Sequence, residues 1–383
     1  MNKIALSLLI GSIALLTGCW DMNEPERMLY VNGMGVDFKD GKYEIYMQII
    51  DFANTAKNDQ PTTDQPQAEI GFASGDTLDD AVNELYHTVD QKVFWGHFSF
   101  LVISEEVMKN VKFTPIVDSF IRYRETRYQI WVYTTQDPVE EVLLVRPVIN
   151  KALTLSKLGD PENSFEQESF ISPVNIRELL IGLDEPGHEA AIPLITIKEN
   201  WSSSKESIKA PELSGVGVLT RGGFKGFISG DEARGMQWMT NETKRGEVTY
   251  KSDEGHFNTV IIENLKVKIT PDVKHDVKFD VDVKLQASIS NLTGSITIKE
   301  IKKKIEEEVA REIMATYHDA IDKDIDIYRF SERLYRKELE TWKKHQENGR
   351  IHLTENSFGK LNVDVVKLNS DRKSFKESVK ITK

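Results

Sequence analysis

The chain is poor in cysteine: Cys19 is the only one among 383 residues. A single thiol excludes an intramolecular disulfide and any metal site built from several thiolates. The eight histidines are scattered without a His-x-x-x-His pair, so their spacing does not indicate a metal site either. The fold must therefore be held together by burial of apolar side chains, for which a chain of this length is sufficient.

Positive charge and long apolar runs are also scarce. The formal net charge is -12, which argues against nucleic acid as a partner, because such binding depends on Lys and Arg at the phosphates. The same charge argues against a broad basic face on anionic lipid. After Cys19 no apolar run approaches the roughly 20 residues that cross a bilayer, so the rest of the chain is expected on one side of the membrane.

The sequence motifs of common enzyme classes are missing. The chain has no Walker sequence and no Gly-x-Ser-x-Gly elbow. Gly33-Met34-Gly35 lacks the third glycine of a dinucleotide-binding loop and lies in a predicted strand. The sequence therefore predicts a protein without a catalytic site, a metal or a cofactor.

Three aspartates resemble the start of a calcium-binding loop. They are Asp322, Asp324 and Asp326, but the sixth and twelfth positions hold Ile327 and Arg333 in place of the required Gly and Glu. We therefore expect a solvated loop between two helices.

A cluster of arginines and one histidine also have structural explanations. Arg122, Arg124 and Arg127 cluster at a predicted helix end, where cations complement the helix dipole, with anion recognition as the less favoured alternative. His97 follows Gly96 within an apolar segment, so we expect a buried core histidine and not a catalytic one.

The first nineteen residues have the pattern of an export signal. Lys3 precedes the apolar run Ile4–Leu16, and small residues lead into Cys19. The sequence Leu16-Thr17-Gly18-Cys19 resembles a bacterial lipobox, in which the cysteine thiol receives a diacylglycerol and the preceding peptide is removed. We therefore predict a signal peptide at 1–18 and lipidation of Cys19, which would anchor the protein stably. The alternatives are an ordinary signal peptide, or cleavage one residue away that leaves a free thiol.

The remaining pattern predicts an α+β protein of three domains, with mixed and antiparallel sheets flanked by helices. The predicted boundaries are 19–200 for an N-terminal α+β domain, 201–258 for a small middle domain, and 259–383 for a C-terminal antiparallel sheet with helices. The boundary at 201 rests on Ser202 to Ser204, which are typical of a linker.

Several local patterns make this prediction specific. Asp40-Gly41 predicts a hairpin turn between two strands, and Val93–Ile103 is apolar enough for a central buried strand. Asp231–Thr240 is a predicted helix. We expect Arg234 to form an ion pair with Asp231, one helical turn away, with contact to a partner protein as the alternative.

The C-terminal third has the clearest periodicity. Strand residues Val277 to Ile289 alternate with polar residues and can pair with Val260 to Ile269 in antiparallel fashion. A helix follows with one apolar stripe, formed by Ile301, Ile305, Val309 and Ile313. A second helix is expected from Ser331, with the inward side chains Leu334, Tyr335, Leu339 and Trp342. The last strand contains Leu361, Val363 and Val365.

Several segments, in order along the chain, resemble the Ger(x)C family of spore germination lipoproteins. The segments are Gly18-Cys19-Trp20-Asp21, Phe94-Trp95-Gly96-His97-Phe98, Leu101 to Glu106, Asp118 to Arg122, Gly215-Val216-Gly217-Val218, and Phe227 to Gly235. The chain departs from the family at Ile327-Tyr328-Arg329-Phe330, where many members have Phe-Gly-x-Gly.

This resemblance implies a function that the residues alone do not indicate. It implies a non-catalytic C subunit of a nutrient germinant receptor, lipid-anchored on the outer face of the spore inner membrane. Its implied partners are the membrane-embedded A and B subunits. The alternative is a free-standing extracytoplasmic lipoprotein that binds or hydrolyses a solute or a cell-wall fragment.

Overall fold

The computed structural model describes residues 27–50, 68–111, 115–116, 119–120, 128–203, 207–294 and 296–369. Cys19, the predicted signal peptide and the cluster of Arg122, Arg124 and Arg127 lie outside these residues. Within the described part of the chain, no helix is both long enough and apolar enough to cross a membrane.

The first sheet has nine strands, in the order β3-β2-β1-β5-β6-β7-β8-β9, with β4 also paired to β1. The strands are β1 Met28–Lys39, β2 Lys42–Ile50, β3 Ala68–Gly75, β4 Lys92–Phe94, β5 Phe100–Ser104, β6 Trp131–Thr135, β7 Glu189–Ser202, β8 Ser207–Thr220 and β9 Gly223–Ser229. The central strands β1, β5, β6 and β7 are parallel. The strands on both sides are antiparallel to their neighbours, so the sheet is mixed as predicted.

The predicted hairpin turn between the first two strands is confirmed. Asp40 and Gly41 connect β1 to β2, and their φ angles are 52° and 80°. Two consecutive positive φ angles give the turn a twist that matches the twist of the flanking strands.

The predicted buried strand at Val93–Ile103 is interrupted. The N–H of Phe98 donates to the carbonyl of Trp95 across 3.0 Å, and this turn separates β4 from β5. The two rings are buried and pack edge-on at 5.5 Å. The turn directs His97 outward, so the expectation of a core histidine is wrong: the side chain is exposed and contacts the ring of Tyr30.

Helices cover both faces of the first sheet. They are α1 Leu78–Tyr86, α2 Glu105–Asn110, α3 Val139–Leu144, α4 Pro161–Gln167 and α5 Ile176–Asp184. Apolar side chains of α1, α2 and α5 share one core with Leu101 and Ile103, whereas those of α3 share another with Phe100 and Val102. Since successive strand residues point to opposite faces, these two cores lie on opposite sides of the sheet.

The second sheet has the order β10-β11-β12-β15. Its strands are β10 Gly246–Lys251, β11 Phe257–Asp272, β12 Lys278–Asn291 and β15 Phe358–Asn369, and a short hairpin is formed by β13 Gln346–Glu347 and β14 Arg350–Ile351. The predicted antiparallel pairing of β11 with β12 is confirmed. Helix α6, Ile298–Asp322, buries the predicted stripe of Ile301, Ile305, Val309 and Ile313 against this sheet.

The prediction that the C-terminal sheet is wholly antiparallel is wrong. β15 pairs with β12 in parallel, with Val283 opposite Val363. Parallel neighbours need a long crossover connection, and the helices between β12 and β15 provide it. The alternating pattern of β15 predicts a strand, but it does not indicate whether that strand is parallel or antiparallel to its neighbour.

The predicted second helix divides into two. They are α7 Phe330–Lys337 and α8 Leu339–His345, and they meet at Glu338, whose φ and ψ angles of -136° and 60° are not helical. Leu334 is buried as predicted, but Tyr335 and Leu339 are 36% and 42% exposed. The change of direction at Glu338 therefore removes part of the expected inward face.

Residues 201–258, predicted as a small middle domain, contribute to both sheets. β8 and β9 extend the first sheet, whereas β10 belongs to the second. Ser202 pairs with Ser207 at the end of the β7–β8 hairpin, so the proposed boundary at 201 falls within a hairpin. The serine-rich composition that is typical of a linker is compatible with this connection as well.

The first sheet shares a hydrophobic core with the helix that covers the second sheet. Val216 and Ile228, from β8 and β9, belong to the same buried cluster as Ala320 of α6 and Ile325, which follows that helix. The first sheet is therefore packed directly on the long helix that covers the second.

Gly235 tests how closely the chain after β9 packs on α6. A methyl group added at its Cα would lie 2.4 Å from the carbonyl oxygen of Glu312 and 2.7 Å from the Cα of Ile313. Because both are helix backbone atoms, we expect Gly235→Ala to lower the free energy of unfolding by about 1–3 kcal/mol. Urea denaturation of the purified protein measures this.

Gly222→Ala is the matched control, since the added methyl group would meet only the Thr220 hydroxyl at 3.5 Å. Equal urea midpoints for the two variants would contradict the close packing.

Candidate functional site

The described polar clusters do not have the arrangement of a metal site. Within the described ranges, no group of three or more His, Cys, Asp and Glu side chains is placed to hold an ion. Asp324 contacts Lys225 and Arg350, whereas Asp326 is 3% exposed. The expectation of a solvated loop is therefore wrong for Asp326, which lies inside the protein.

Buried Glu189, at the start of β7, is the centre of a polar contact between the first sheet and two segments that follow α6. Its Oε2 accepts a hydrogen bond from the N–H of Asp326 at 2.7 Å. Its Oε1 lies 2.6 Å from Nη2 of Arg350, out of line for a hydrogen bond. We call the contact of residues 185–189 with residues 324–336 and 349–350 the junction.

Asp326 organises the other side of the junction. Its two carboxylate oxygens accept hydrogen bonds from the N–H groups of Phe330 and Ser331, each at 2.7 Å, at the start of α7. These bonds satisfy N–H groups that have no partner within the helix. Asp326 thus fixes the start of α7, while its own N–H binds Glu189.

Burial dominates the protonation of both acids. Desolvation, followed by the negative charge of Asp326, raises the pKa of Glu189 to about 8, against the opposing effect of Arg350. Desolvation also raises the pKa of Asp326, although its backbone hydrogen bonds act in the opposite direction. The junction therefore contains two buried carboxyl groups with raised pKa values.

More exposed ion pairs surround the buried centre of the junction. Nη2 of Arg336 lies 2.6 Å from Glu185 in the loop after α5, and its Nε lies 2.8 Å from Glu332. Arg329 lies 2.6 Å from the same Glu332. The N–H of Gly187 also donates to the carbonyl of residue 349 at 2.8 Å. The end of α5 is thereby attached to α7 and to the β13–β14 hairpin.

A second buried ion pair attaches the chain after β9 to α6. The predicted helix at 231–240 is a 3₁₀ segment, Gly230–Met239. Nε of Arg234 lies 2.6 Å from Glu312, which is 3% exposed, and the indole N–H of Trp238 donates to the other Glu312 oxygen at 2.5 Å. The expected ion pair of Arg234 with Asp231 is therefore wrong: its partner lies on α6, 78 residues along the chain.

A cleft of about 880 Å³ opens beside the junction, between α5 and α7. Three of its large side chains are markedly exposed: Tyr128 at 56%, Ile181 at 37% and Tyr335 at 36%. Its charged lining comes from Arg177, Asp184, Glu185 and Arg336. The cleft is therefore apolar in part and has a charged rim. One wall, α5, comes from the half of the protein built on the first sheet, and the other, α7, comes from the half built on the second sheet.

Sequence reasoning missed Glu189, Asp326 and Arg350 as a group. Glu189 gives a weak signal, because it precedes the apolar run of β7 where a charged residue is unusual. The sequence contains no comparable signal for Arg350, since its partners come from distant parts of the chain.

Arg234→Ala should destabilise the protein by about 3 kcal/mol, because it leaves the buried carboxylate of Glu312 without its cation. Arg311→Ala is the control: it removes an exposed i,i+3 pair on the same helix and should cost at most about 1 kcal/mol. Urea unfolding of both variants measures the difference. Near-equal losses of unfolding free energy in the two variants would show that the ion pair of Arg234 stabilises the protein no more than an exposed pair does.

Glu189→Gln should change how stability depends on pH. The folded-state pKa of Glu189, about 8, lies above the ordinary 4.5, so the folded state retains a proton that the unfolded chain releases. This contribution to stability is complete below the unfolded pKa and is lost as the pH rises through the folded pKa. The variant should therefore gain stability relative to the wild type between about pH 5 and pH 8.

Exposed Glu347→Gln serves as the control for that experiment and should show no such trend. Unfolding midpoints in urea across this pH range provide the measurement. A constant difference between wild type and Glu189→Gln would show that the carboxyl group does not titrate in this window.

Two family models match consecutive parts of the chain. The spore germination protein N-terminal domain matches residues 21–197. The spore germination B3/GerAC-like C-terminal domain matches residues 214–369. The second match begins within β8, so the division between the matches also falls in the β7–β8 hairpin.

The curated relatives are also spore germination proteins. Spore germination protein KC of Bacillus subtilis (strain 168) is 22% identical over 364 residues, which cover 89% of each chain. Spore germination protein B3 of the same organism is 24% identical over 275 residues, covering 70% of this chain and 69% of the relative.

A solved structure has the same fold. The crystal structure of the GerBC protein matches with a TM-score of 0.54 at 16% sequence identity, covering 89% of this chain and 97% of that chain. This supports the predicted α+β class. With both family models matched in order, the chain belongs to the GerAC-like family of spore germination proteins.

Proposed function

We propose that this protein is a lipid-anchored, non-catalytic subunit of a spore germinant receptor, acting with membrane-embedded A and B subunits in nutrient-triggered germination. The observation that carries the proposal is the consecutive match of both germination domains over residues 21–369. Alignment with germination protein KC over 89% of each chain supports a common role for the whole protein, beyond one shared domain.

The N-terminal sequence supports an anchor at Cys19. Nine positions separate Cys19 from Met28, where β1 begins. A fully extended chain spans at most about 3.6 Å per residue, so this tether holds the start of β1 within roughly 30 Å of the anchored residue. An anchor at Cys19 would place the protein at the membrane, which we propose is the outer face of the spore inner membrane.

The buried charged side chains make structural contacts, and this supports a non-catalytic role. Glu189 and Asp326 connect the first sheet to the segment after α6, and Glu312 holds Arg234 and Trp238. These groups are engaged in packing the protein and are largely closed to solvent. A rigid body joined in this way is suited to holding partner proteins in a fixed arrangement.

Cys19→Ala should abolish incorporation of labelled fatty acid and remove the protein from the spore membrane fraction, because the acyl acceptor is lost. Spores with the variant should then germinate poorly with the nutrients that fail for spores lacking the protein. Label incorporation, fractionation and loss of spore refractility on nutrient addition measure the three effects.

Ser7→Ala, within the apolar run, is the matched control and should behave like the wild type. Fatty acid retained by Cys19→Ala would contradict the anchor. Normal germination with every nutrient in spores lacking the protein would favour the free-standing lipoprotein instead.

A further inference from the structure

The cleft between α5 and α7 has an apolar part beside the ion pairs of the junction. Tyr128, Ile181 and Tyr335 are exposed there together. Exposed apolar groups gathered in one place, with a charged rim, are typical of an interaction site. Tyrosine is also enriched among the residues that dominate binding energy at protein interfaces.

The cleft lies at the end of the first sheet where the chain enters from its N-terminal segment. The N–H groups of Ile176 and Arg177, at the start of α5, donate to the carbonyls of Ile130 and Tyr128, just before β6. Helix α5 ends shortly before β7 begins. It therefore runs along the amino-terminal ends of β6 and β7.

Strand β1 is parallel to β5 and β6, so its first residue, Met28, lies at this same end. Only β5 separates β1 from β6 in the sheet. Neighbouring strands are about 4.8 Å apart, so β1 and β6 are offset by roughly 10 Å across the sheet. Gly33 is level with Trp131 through Phe100, so Met28, five residues earlier, lies about 17 Å further along the strand direction. With a tether from Cys19 of at most roughly 30 Å, this arrangement allows the cleft to lie close to the membrane surface.

The shape and charge of the cleft favour a protein occupant over lipid. A bilayer presents a flat surface, which a concave cleft cannot follow, whereas a helix can lay its apolar face into a groove. The chain also has a net charge of -12, which opposes close contact with anionic lipid. The rim residues carry both charge signs, and Glu185 and Arg336 already neutralise each other.

We propose that this cleft binds an amphipathic helical segment of a membrane-embedded partner, with aliphatic or aromatic side chains at i, i+3 or i+4, and i+7. The inference rests on the proposed function, since it is that receptor which contains such partners. The segment would contact α5 and α7 together and would therefore bridge the same two halves that the junction joins.

The test is co-isolation of the A and B subunits with the tagged, full-length protein from detergent-solubilised spore membranes, quantified by mass spectrometry. Ile181→Glu places a charge in the apolar part of the cleft and should lower recovery of at least one subunit tenfold or more. Tyr128→Ser is a second variant at a more exposed position and should lower it in the same direction.

Ile298→Glu is the matched control, because it makes the same change at a side chain that is 67% exposed at the start of α6. It should leave recovery unchanged. Urea midpoints of the variants should equal that of the wild type, which separates loss of binding from loss of folding.

Two outcomes would overturn the proposal while leaving the receptor function intact. In the first, Ile181→Glu and Tyr128→Ser retain both subunits as well as Ile298→Glu does. In the second, they lose binding only to protein-free vesicles of phosphatidylglycerol and phosphatidylethanolamine, which would identify lipid as the occupant. If the wild-type protein recovers neither subunit, the receptor function fails together with the cleft proposal.

Discussion

The burial of Glu189 is the constraint on which the arrangement of the two halves depends. An isolated carboxyl group inside a protein is costly, and it is tolerated only where hydrogen bonds and charges compensate for lost water. Here the N–H of Asp326 and the guanidinium of Arg350 provide that compensation, and both come from the second half. Separating the halves would therefore leave Glu189 without the partners that make its burial possible, and the N–H of Asp326 without its acceptor.

The apolar core and the junction have different roles in joining the halves. The core that contains Val216, Ile228 and Ala320 contributes non-directional burial, which favours contact without fixing one orientation. The hydrogen bonds of Asp326 and the ion pairs of Glu185 require particular distances and angles, so they select one arrangement. The junction therefore fixes how the two halves are placed relative to each other.

The sequence predicts local structure well here because local patterns arise from neighbouring residues. The turn at Asp40-Gly41 and the buried stripe of α6 depend on backbone preference and periodicity, and both were predicted. The partner of Arg234 was not, because the choice of Glu312 over Asp231 depends on how β9 packs on α6. The candidate site was missed for the same reason: Glu189, Asp326 and Arg350 are brought together only by the packing of the two halves.

The departure from the family pattern before α7 has a physical consequence at the junction. Where the resemblance leads us to expect Phe-Gly-x-Gly, this chain has two buried aromatic residues, Tyr328 and Phe330. The ring of Phe330 stacks on Phe279 of β12 at 4.4 Å, and the hydroxyl of Tyr328 donates to the carbonyl of Ile313 on α6. Both contacts fix the segment that follows Asp326. A segment built on glycine would need other contacts to hold that carboxylate in place, so these aromatic side chains help to position the junction in this chain.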